Sequence, residues 1–254
     1  MIEIRSLTKR FGPVDVLRGL DLTIRPGRVT AIVGPNGAGK TTLIKAILGL
    51  ARPDGGAILL DGAPVVGDGA PRGDAAVAYR ARIGYMPQIA RFPEQLSARA
   101  LFAFVAELRG AGAGARDDEL LERFDLAAHL DKPLRALSGG TRQKINAVLA
   151  FRFRPALLVL DEPTAGLDPL SSAILKDKVS AERAAGRTFI LTSHVMSELE
   201  ELADDVAFLV EGRVAFAGSR EQLQTLTGQA RLERAIAHLM LRAPIRGAGA
   251  EAAA

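Results

Sequence analysis

The run Gly34-Pro35-Asn36-Gly37-Ala38-Gly39-Lys40-Thr41 has the residue types that hold a polyphosphate. Phosphate oxygens need many donors at short range. Glycines let the backbone curl so that successive N–H groups point inward, and a helix that follows adds the positive end of its dipole. The spacing satisfies G-x-x-x-x-G-K-[ST]. In that frame Lys40 reaches the β- and γ-phosphates, the Thr41 hydroxyl takes a place on Mg2+, and Thr42 touches the α-phosphate. The strand before the loop and the helix after it set the run apart from an ordinary glycine turn.

Two further groups bear on the same chemistry. Residues 156–162, Ala-Leu-Leu-Val-Leu-Asp-Glu, form a buried strand that ends in two carboxylates. Asp161 is suited to hold the Mg2+ shell. Glu162 would then face the γ-phosphate and polarise the attacking water as general base, the competing reading being that one acid caps the next turn. Ser138, Gly139 and Gly140 open a helix and make a second anion site on the same physics as the first, although a lone Ser-Gly-Gly also fits a capping turn. Two anion sites far apart in sequence, with one nucleotide to bind, are reconciled by a head-to-tail dimer in which each nucleotide lies between the Lys40 loop of one subunit and the Ser138 loop of the other.

The elements that must position these groups are legible from periodicity. Residues 2–5 and 14–25 alternate as edge strands do. Val29–Val33 is a β-branched strand, followed by the glycine loop and a helix containing Leu-Ile-Lys-Ala-Ile-Leu-Gly-Leu. Residues 57–61 read as a strand leading into a loop with Gly67, Gly69, Pro71 and Gly73, and 82–86 as a strand ending at Pro87 and Gln88. From 94 to 155 the spacing becomes helical, with Ser97 as a cap for the first helix and further helices at 117–124 and 141–151; Gly-Ala-Gly-Ala-Gly-Ala between the first two reads as a flexible loop. Strands and helices then alternate: 156–160, a helix from Pro169 with Asp168 as N-cap and Gly186 beyond its end, Thr188–Thr192, a helix near 195–203, then 206–210 and 213–217. This pattern predicts a parallel sheet with helices on both faces and an inserted helical lobe. Residues 229–242 are amphipathic, with Leu232, Ile236, Leu239 and Met240 on one face, suited to packing or to docking. The ending Gly-Ala-Gly-Ala-Glu-Ala-Ala-Ala lacks bulky apolar groups and reads as disordered. His129 and His238 fall on expected helix surfaces and carry no assigned role.

Composition narrows the partners. The chain has 254 residues, 48% hydrophobic and 24% charged, with no cysteine, which excludes a disulfide framework and thiolate metal sites and fits a reducing cytosol. The net charge of +4 comes from 33 basic residues interspersed with 29 acidic ones, and only 5% are aromatic, so the basic patch and stacking platform of a nucleic-acid binder are missing. The first residues lack the apolar run of a secretory signal, and no stretch approaches the roughly 18 apolar residues of a membrane span.

Taken in order, the GPNGAGKTT run, Gln88, LSGGTRQK, LDEPTAGLD and Thr192-Ser193-His194 resemble the nucleotide-binding domain of ABC ATPases over roughly residues 1–218, with 219–254 as a C-terminal helical extension and tail. The resemblance implies a P-loop NTPase fold of the ABC type, with a parallel core sheet, an antiparallel β edge region and a helical subdomain at about 94–155. It implies Mg-ATP hydrolysis in a homodimer, or a heterodimer with a homologous ATPase, on the cytoplasmic face of a membrane, coupled to a transmembrane permease. It further implies that Phe11 stacks on adenine, that Gln88 approaches Mg2+ and the attacking water and meets the permease, that Asp168 communicates across the dimer, and that His194 hydrogen-bonds the γ-phosphate. One departure is visible: the family's signature usually reads LSGGQ, and here its fifth residue is Thr141, with Gln143 two places later. The GYMPQIARFPE segment together with LSGGTRQK also resembles the NosF-type ATPases that serve copper-centre maturation of nitrous oxide reductase. A soluble ABC ATPase of a cytosolic assembly, such as iron–sulfur cluster biogenesis, shares every motif. DNA-repair types would need a long heptad region, translation-factor types two such domains, and a non-hydrolysing regulatory module would lack Glu162 or His194.

Overall fold

The computed structural model describes residues 1–73, 78–110 and 116–242. All but the first residue of the Gly-Ala repeat after Arg109, and the whole of the terminal Gly-Ala-rich tail, lie outside them. Two sheets organise the rest. A four-stranded antiparallel sheet contains β1 (Ile2–Phe11), β2 (Val14–Ile24), β4 (Gly55–Leu60) and β5 (Ala63–Gly67) in the order β2-β1-β4-β5. A six-stranded sheet contains β3 (Val29–Val33), β6 (Ile83–Met86), β7 (Leu157–Asp161), β8 (Thr188–Thr192), β9 (Asp205–Val210) and β10 (Arg213–Ser219) in the order β10-β9-β3-β8-β7-β6. All its neighbours run parallel except β9 and β10.

The unbroken apolar runs of the central strands follow from burial on both faces. Successive side chains point to opposite sides of a strand. Thus Val29, Ala31, Val33, Leu158, Leu160, Phe189, Leu191, Val206 and Phe208 join one core with the main helical layer. Ile32, Leu157, Val159, Ile190, Ala207 and Leu209 join a second core beneath the antiparallel sheet and the helix α1 (Lys40–Ile47).

The inserted lobe contains α2 (Ala98–Leu108), α3 (Glu119–Arg123) and α4 (Gly139–Phe151). Ser97 caps α2 by accepting from the Ala100 N–H at 3.2 Å. The second helix is shorter than 117–124 because its first acids are engaged elsewhere. Asp117 reaches Lys178, which lies on α5 (Pro169–Ala184), and Asp118 pairs with Arg152. Lys178 is 3% exposed and its ammonium is surrounded by Asp117 (2.7 Å), Glu119 (2.7 Å) and Glu182 (2.9 Å). Burial alone would lower its pKa, but the three hydrogen-bonded carboxylates more than offset that and hold it well above the usual lysine value. This cluster, with Arg123–Asp177 at 2.9 Å, fastens the lobe to the main body.

Two elements depart from the pattern expected of the sequence. The segment after residue 61 is a strand, β5, before it becomes a loop; it lies at the sheet edge, where Pro64 is tolerated because an edge strand need not donate on both sides. A further helix, α6 (Met196–Leu202), leads to β9, and then α7 (Arg220–Thr227) follows β10. The α7 helix is largely polar, burying only Leu223 and Thr227, but it carries a full capping box between Ser219 and Gln222. The last helix, α8 (Leu232–Arg242), is a packing element: Leu232, Ala235 and Ile236 enter the main core. Its first N–H donates to Glu200 Oε1 on α6 at 2.6 Å. His238 is half-buried there, not on the outer surface. No helix among the described residues is long and apolar enough to cross a membrane.

Candidate functional site

Because β6, β7, β8 and β3 run parallel, the segments leaving their carboxyl ends emerge on one side of the sheet. That edge is where open α/β sheets bind ligands. It brings together residues that are far apart in the sequence: Gln88 after β6, Asp161 and Glu162 at the end of β7, Ser193 and His194 after β8, and the Gly34 loop after β3.

The glycine loop is shaped by its surroundings as much as by its motif. Gly34 has φ +154, and a Cβ there would lie 2.2 Å from the Leu209 carbonyl oxygen. Gly39 has φ +100, and a Cβ would meet Leu17 Cδ2 at 2.9 Å and the Val16 carbonyl at 3.0 Å. Only glycine allows the backbone to pass so close to β9 and β2 and still turn into α1. Lys40, the first residue of α1, folds back over the loop and donates to the carbonyls of Gly34 (2.7 Å) and Pro35 (3.1 Å). Burial lowers its pKa, against the opposing fields of Glu162 and Asp161, so the ammonium and both carboxylates share one electrostatic environment. Thr41 is exposed and Thr42 half-buried at the helix start.

Asp161 accepts a hydrogen bond from the Thr192 hydroxyl at 2.5 Å. The next residue, Glu162, has φ +51, a left-handed conformation that costs a non-glycine residue about 1–3 kcal/mol. Its N–H donates to Thr192 O (3.0 Å) and Oγ1 (3.2 Å), which holds the turn. The same turn sends the carboxylate to His194, whose N–H donates to Oε2 and whose Nε2 lies 3.2 Å from Oε1. Glu162 is 13% exposed at its side chain and His194 63%, so a shielded acid faces outward past an accessible imidazole.

Behind this pair stands a residue that sequence reasoning passed over. Glu198 on α6 is 4% exposed. Its Oε2 accepts from the Ser193 and Thr164 hydroxyls, joining the segment that carries His194 to the one that carries Glu162. Burial pushes its carboxyl pKa up, and the nearby Glu162 charge acts in the same direction. The signal was present as an acid four residues before Leu202 on the apolar side of a short helix.

A second group gathers around α4. Ser138 is its N-cap, exposed, with Oγ accepting from the Thr141 N–H at 3.1 Å and lying 2.9 Å from Thr141 Oγ1. Gly139, Gln88 and Gly166 line one cleft of about 550 Å³. Gln88 is exposed beside Asn146, whose amide donates to the Pro87 carbonyl at 2.9 Å, so the loop after β6 is tied to α4. Gln143 is buried, 5% exposed, and does not take the place of the signature glutamine. Asp168 caps α5 through the Ser171 N–H (2.8 Å) and hydroxyl (2.7 Å) and pairs with Lys144 of α4 at 3.1 Å. These contacts, the Ser171 hydroxyl first, hold its pKa well below the usual carboxylate range. Phe11 is 52% exposed at the β1–β2 hairpin, with Lys9 Nζ over its ring at 5.2 Å from the centroid; it is a surface aromatic, not a core residue.

The donor set fits a nucleotide with a divalent cation. The loop offers a glycine cradle, a helix N-terminus and an ammonium, while Asp161 supplies a hard oxygen ligand and Thr41 an exposed hydroxyl. No cluster of three His, Cys, Asp or Glu among the described residues forms a cation cage by itself, which suits an ion that completes its shell with phosphate oxygens.

Comparison with known proteins points the same way. A family model described as "ABC transporter" matches residues 17–165. The chain is 40% identical over 235 residues to the "Daunorubicin resistance ATP-binding protein DrrA3" of Streptomyces coeruleorubidus, covering 91% of this chain and 72% of that one. It is 33% identical over 228 residues to the "Nod factor export ATP-binding protein I" of Ralstonia nicotianae, covering 89% and 69%. A solved "ATP binding subunit of ABC transporter" superposes with a TM-score of 0.87 at 29% identity, covering 94% of this chain and 99% of that one.

Proposed function

This chain belongs to the ATP-binding ATPases of the ABC transporter family, and on that premise we propose that two copies close head to tail around two Mg-ATP and drive a separate transmembrane permease that exports its substrate. The observation that carries the catalytic part is the Glu162–His194 pair at 3.2 Å beside the Lys40 loop. The export direction is supported by the relatives named for daunorubicin resistance and Nod factor export. A copper-processing role of the NosF type keeps its support in the Gly84-to-Glu94 segment and the Thr141-bearing signature; the identity of the co-purifying permease separates the two.

In the proposed mechanism Lys40 and the backbone N–H groups of residues 36–42 hold the phosphates, and Phe11 stacks on the base. Glu162 takes the proton of the attacking water, and His194 donates toward the γ-phosphate. Mg2+, when bound, would neutralise phosphate charge, held by Thr41 and Asp161 with Gln88 nearby. Ser138, Gly139 and Gly140 of the opposite subunit close the site, and Asp168 couples the two sites. The tie from Pro87 to Asn146 gives Gln88 a mechanical link to the helical lobe, the face turned to the permease in this reading, on the cytoplasmic side of the membrane.

Lys40→Ala is expected to weaken nucleotide binding by about 10- to 100-fold, the usual worth of a charge-assisted hydrogen bond. A fluorescent-nucleotide titration measures it, and an unchanged affinity would remove Lys40 from the phosphates. The transport reading is tested by locking tagged Glu162→Gln protein with Mg-ATP and recovering it from detergent-solubilised membranes. A co-purifying polytopic membrane protein whose presence raises the ATPase rate of the unsubstituted chain supports the reading. Recovery of soluble partners alone would move the protein to a cytosolic assembly ATPase.

A further inference from the structure

We infer that Thr141, the departure from the family's usual signature, is a positioning residue that turns the Ser138 hydroxyl into an obligate donor toward a phosphate presented by the opposite subunit. The inference rests on the proposed head-to-tail dimer. A serine hydroxyl has one proton and two acceptor lone pairs. One lone pair of Ser138 Oγ already accepts from the Thr141 N–H at 3.1 Å, as in any capped helix. The second contact, Oγ to Thr141 Oγ1 at 2.9 Å, can run in either direction, and the direction decides what Ser138 presents outward.

If Ser138 donated to Thr141, its only proton would point back into the cap. The outward side of Oγ would then carry a lone pair, which repels an anion. If Thr141 donates, both lone pairs of Ser138 are filled from its own helix and the proton alone remains for an outside partner. An approaching phosphate selects the second arrangement, and the contact then strengthens the donor by polarising it. Thr141 suits the task because its branched side chain has few rotamers and is half-buried while Ser138 is exposed. The hydroxyl that sets the proton is therefore held in place before the phosphate arrives.

Thr141→Val keeps the branched shape and removes the hydroxyl; Thr141→Ser keeps the hydroxyl. Both are made in Glu162→Gln protein, and ATP-driven dimerisation is followed by light scattering over a titration of protein. Loss of one hydrogen bond's worth of preorganisation is about fivefold per site. With two well-separated sites in a dimer this becomes about 25-fold in the dimerisation constant for Thr141→Val, with near-complete recovery in Thr141→Ser. Fluorescent-nucleotide affinity of the monomer should stay at the parent's value, since Thr141 belongs to the Ser138 loop and not to the Lys40 loop of its own subunit. Dimerisation of Thr141→Val equal to the parent's would overturn the inference. So would a Thr141→Ser variant as weak as Thr141→Val, or a parallel drop in monomer nucleotide affinity. A parent that fails to dimerise with ATP would remove the head-to-tail reading itself, and the inference with it.

Discussion

Replacing Glu162 by Gln should slow ATP turnover by about 10²–10⁴, the usual contribution of a general base, while nucleotide binding survives. The amide has nearly the same volume and can keep accepting from the His194 N–H, which now donates to Oε2 at 3.2 Å. What it loses is basicity. The backbone strain at Glu162, with φ +51, is held by Thr192 through two hydrogen bonds to its N–H, and neither involves the side chain. The loop should therefore keep its shape, and a fluorescent nucleotide should bind with parent affinity. Phosphate release under saturating Mg-ATP measures the rate. Turnover within threefold of the parent, with binding intact, would be incompatible with Glu162 as the base.

The second large effect concerns stability. Lys178→Ala should cost about 3–5 kcal/mol, the range for breaking a buried ion pair by removing one partner. The ammonium is 3% exposed and touches three carboxylates, of which Asp117 is itself only 11% exposed. Removing it leaves Asp117 shielded from water with no ion-pair partner, and leaves Glu182 with Arg187 alone at 3.5 Å. Lys178→Met, which fills the space without the charge, should lose a comparable amount. Urea denaturation at neutral pH gives the difference, read from the midpoint if the slope is unchanged. A loss below about 1 kcal/mol in both variants would mean that the cluster behaves like an exposed pair. The loss should shrink in an Asp117→Asn background, because the acid most in need of the lysine is then neutral.

Much of the fold and of the candidate site was legible in the chain, for local reasons. Val29–Val33 and Thr188–Thr192 occupy the stretches that β-branched runs indicated, and the helix from Pro169 starts at the proline behind its Asp168 cap. Each signal lies within a few residues, where one steric or hydrogen-bonding rule dominates. β5 was hidden by Pro64 and the glycines that follow it, which read as loop until a neighbouring strand makes the edge position available. The polar α7 buries too few residues to show a helical stripe, and its Ser219–Gln222 capping box is seen in the folded chain.

The chain by itself determined which chemical groups exist and the elements that carry them: the glycine loop and Lys40, the acids that end β7, the serine that opens α4. Tertiary structure alone decided how they meet. Parallel pairing of β3, β8, β7 and β6 sets the Lys40 loop, Glu162, His194 and Gln88 along one edge. The tie from Asn146 to Pro87, the exposure of the Phe11 ring and the ring of acids around Lys178 likewise have no local signal. Asp117 and Lys178 are 61 residues apart. No period in the sequence reports so distant a pairing, because it forms only once the helical lobe has packed against α5 and excluded the water that would otherwise separate the charges.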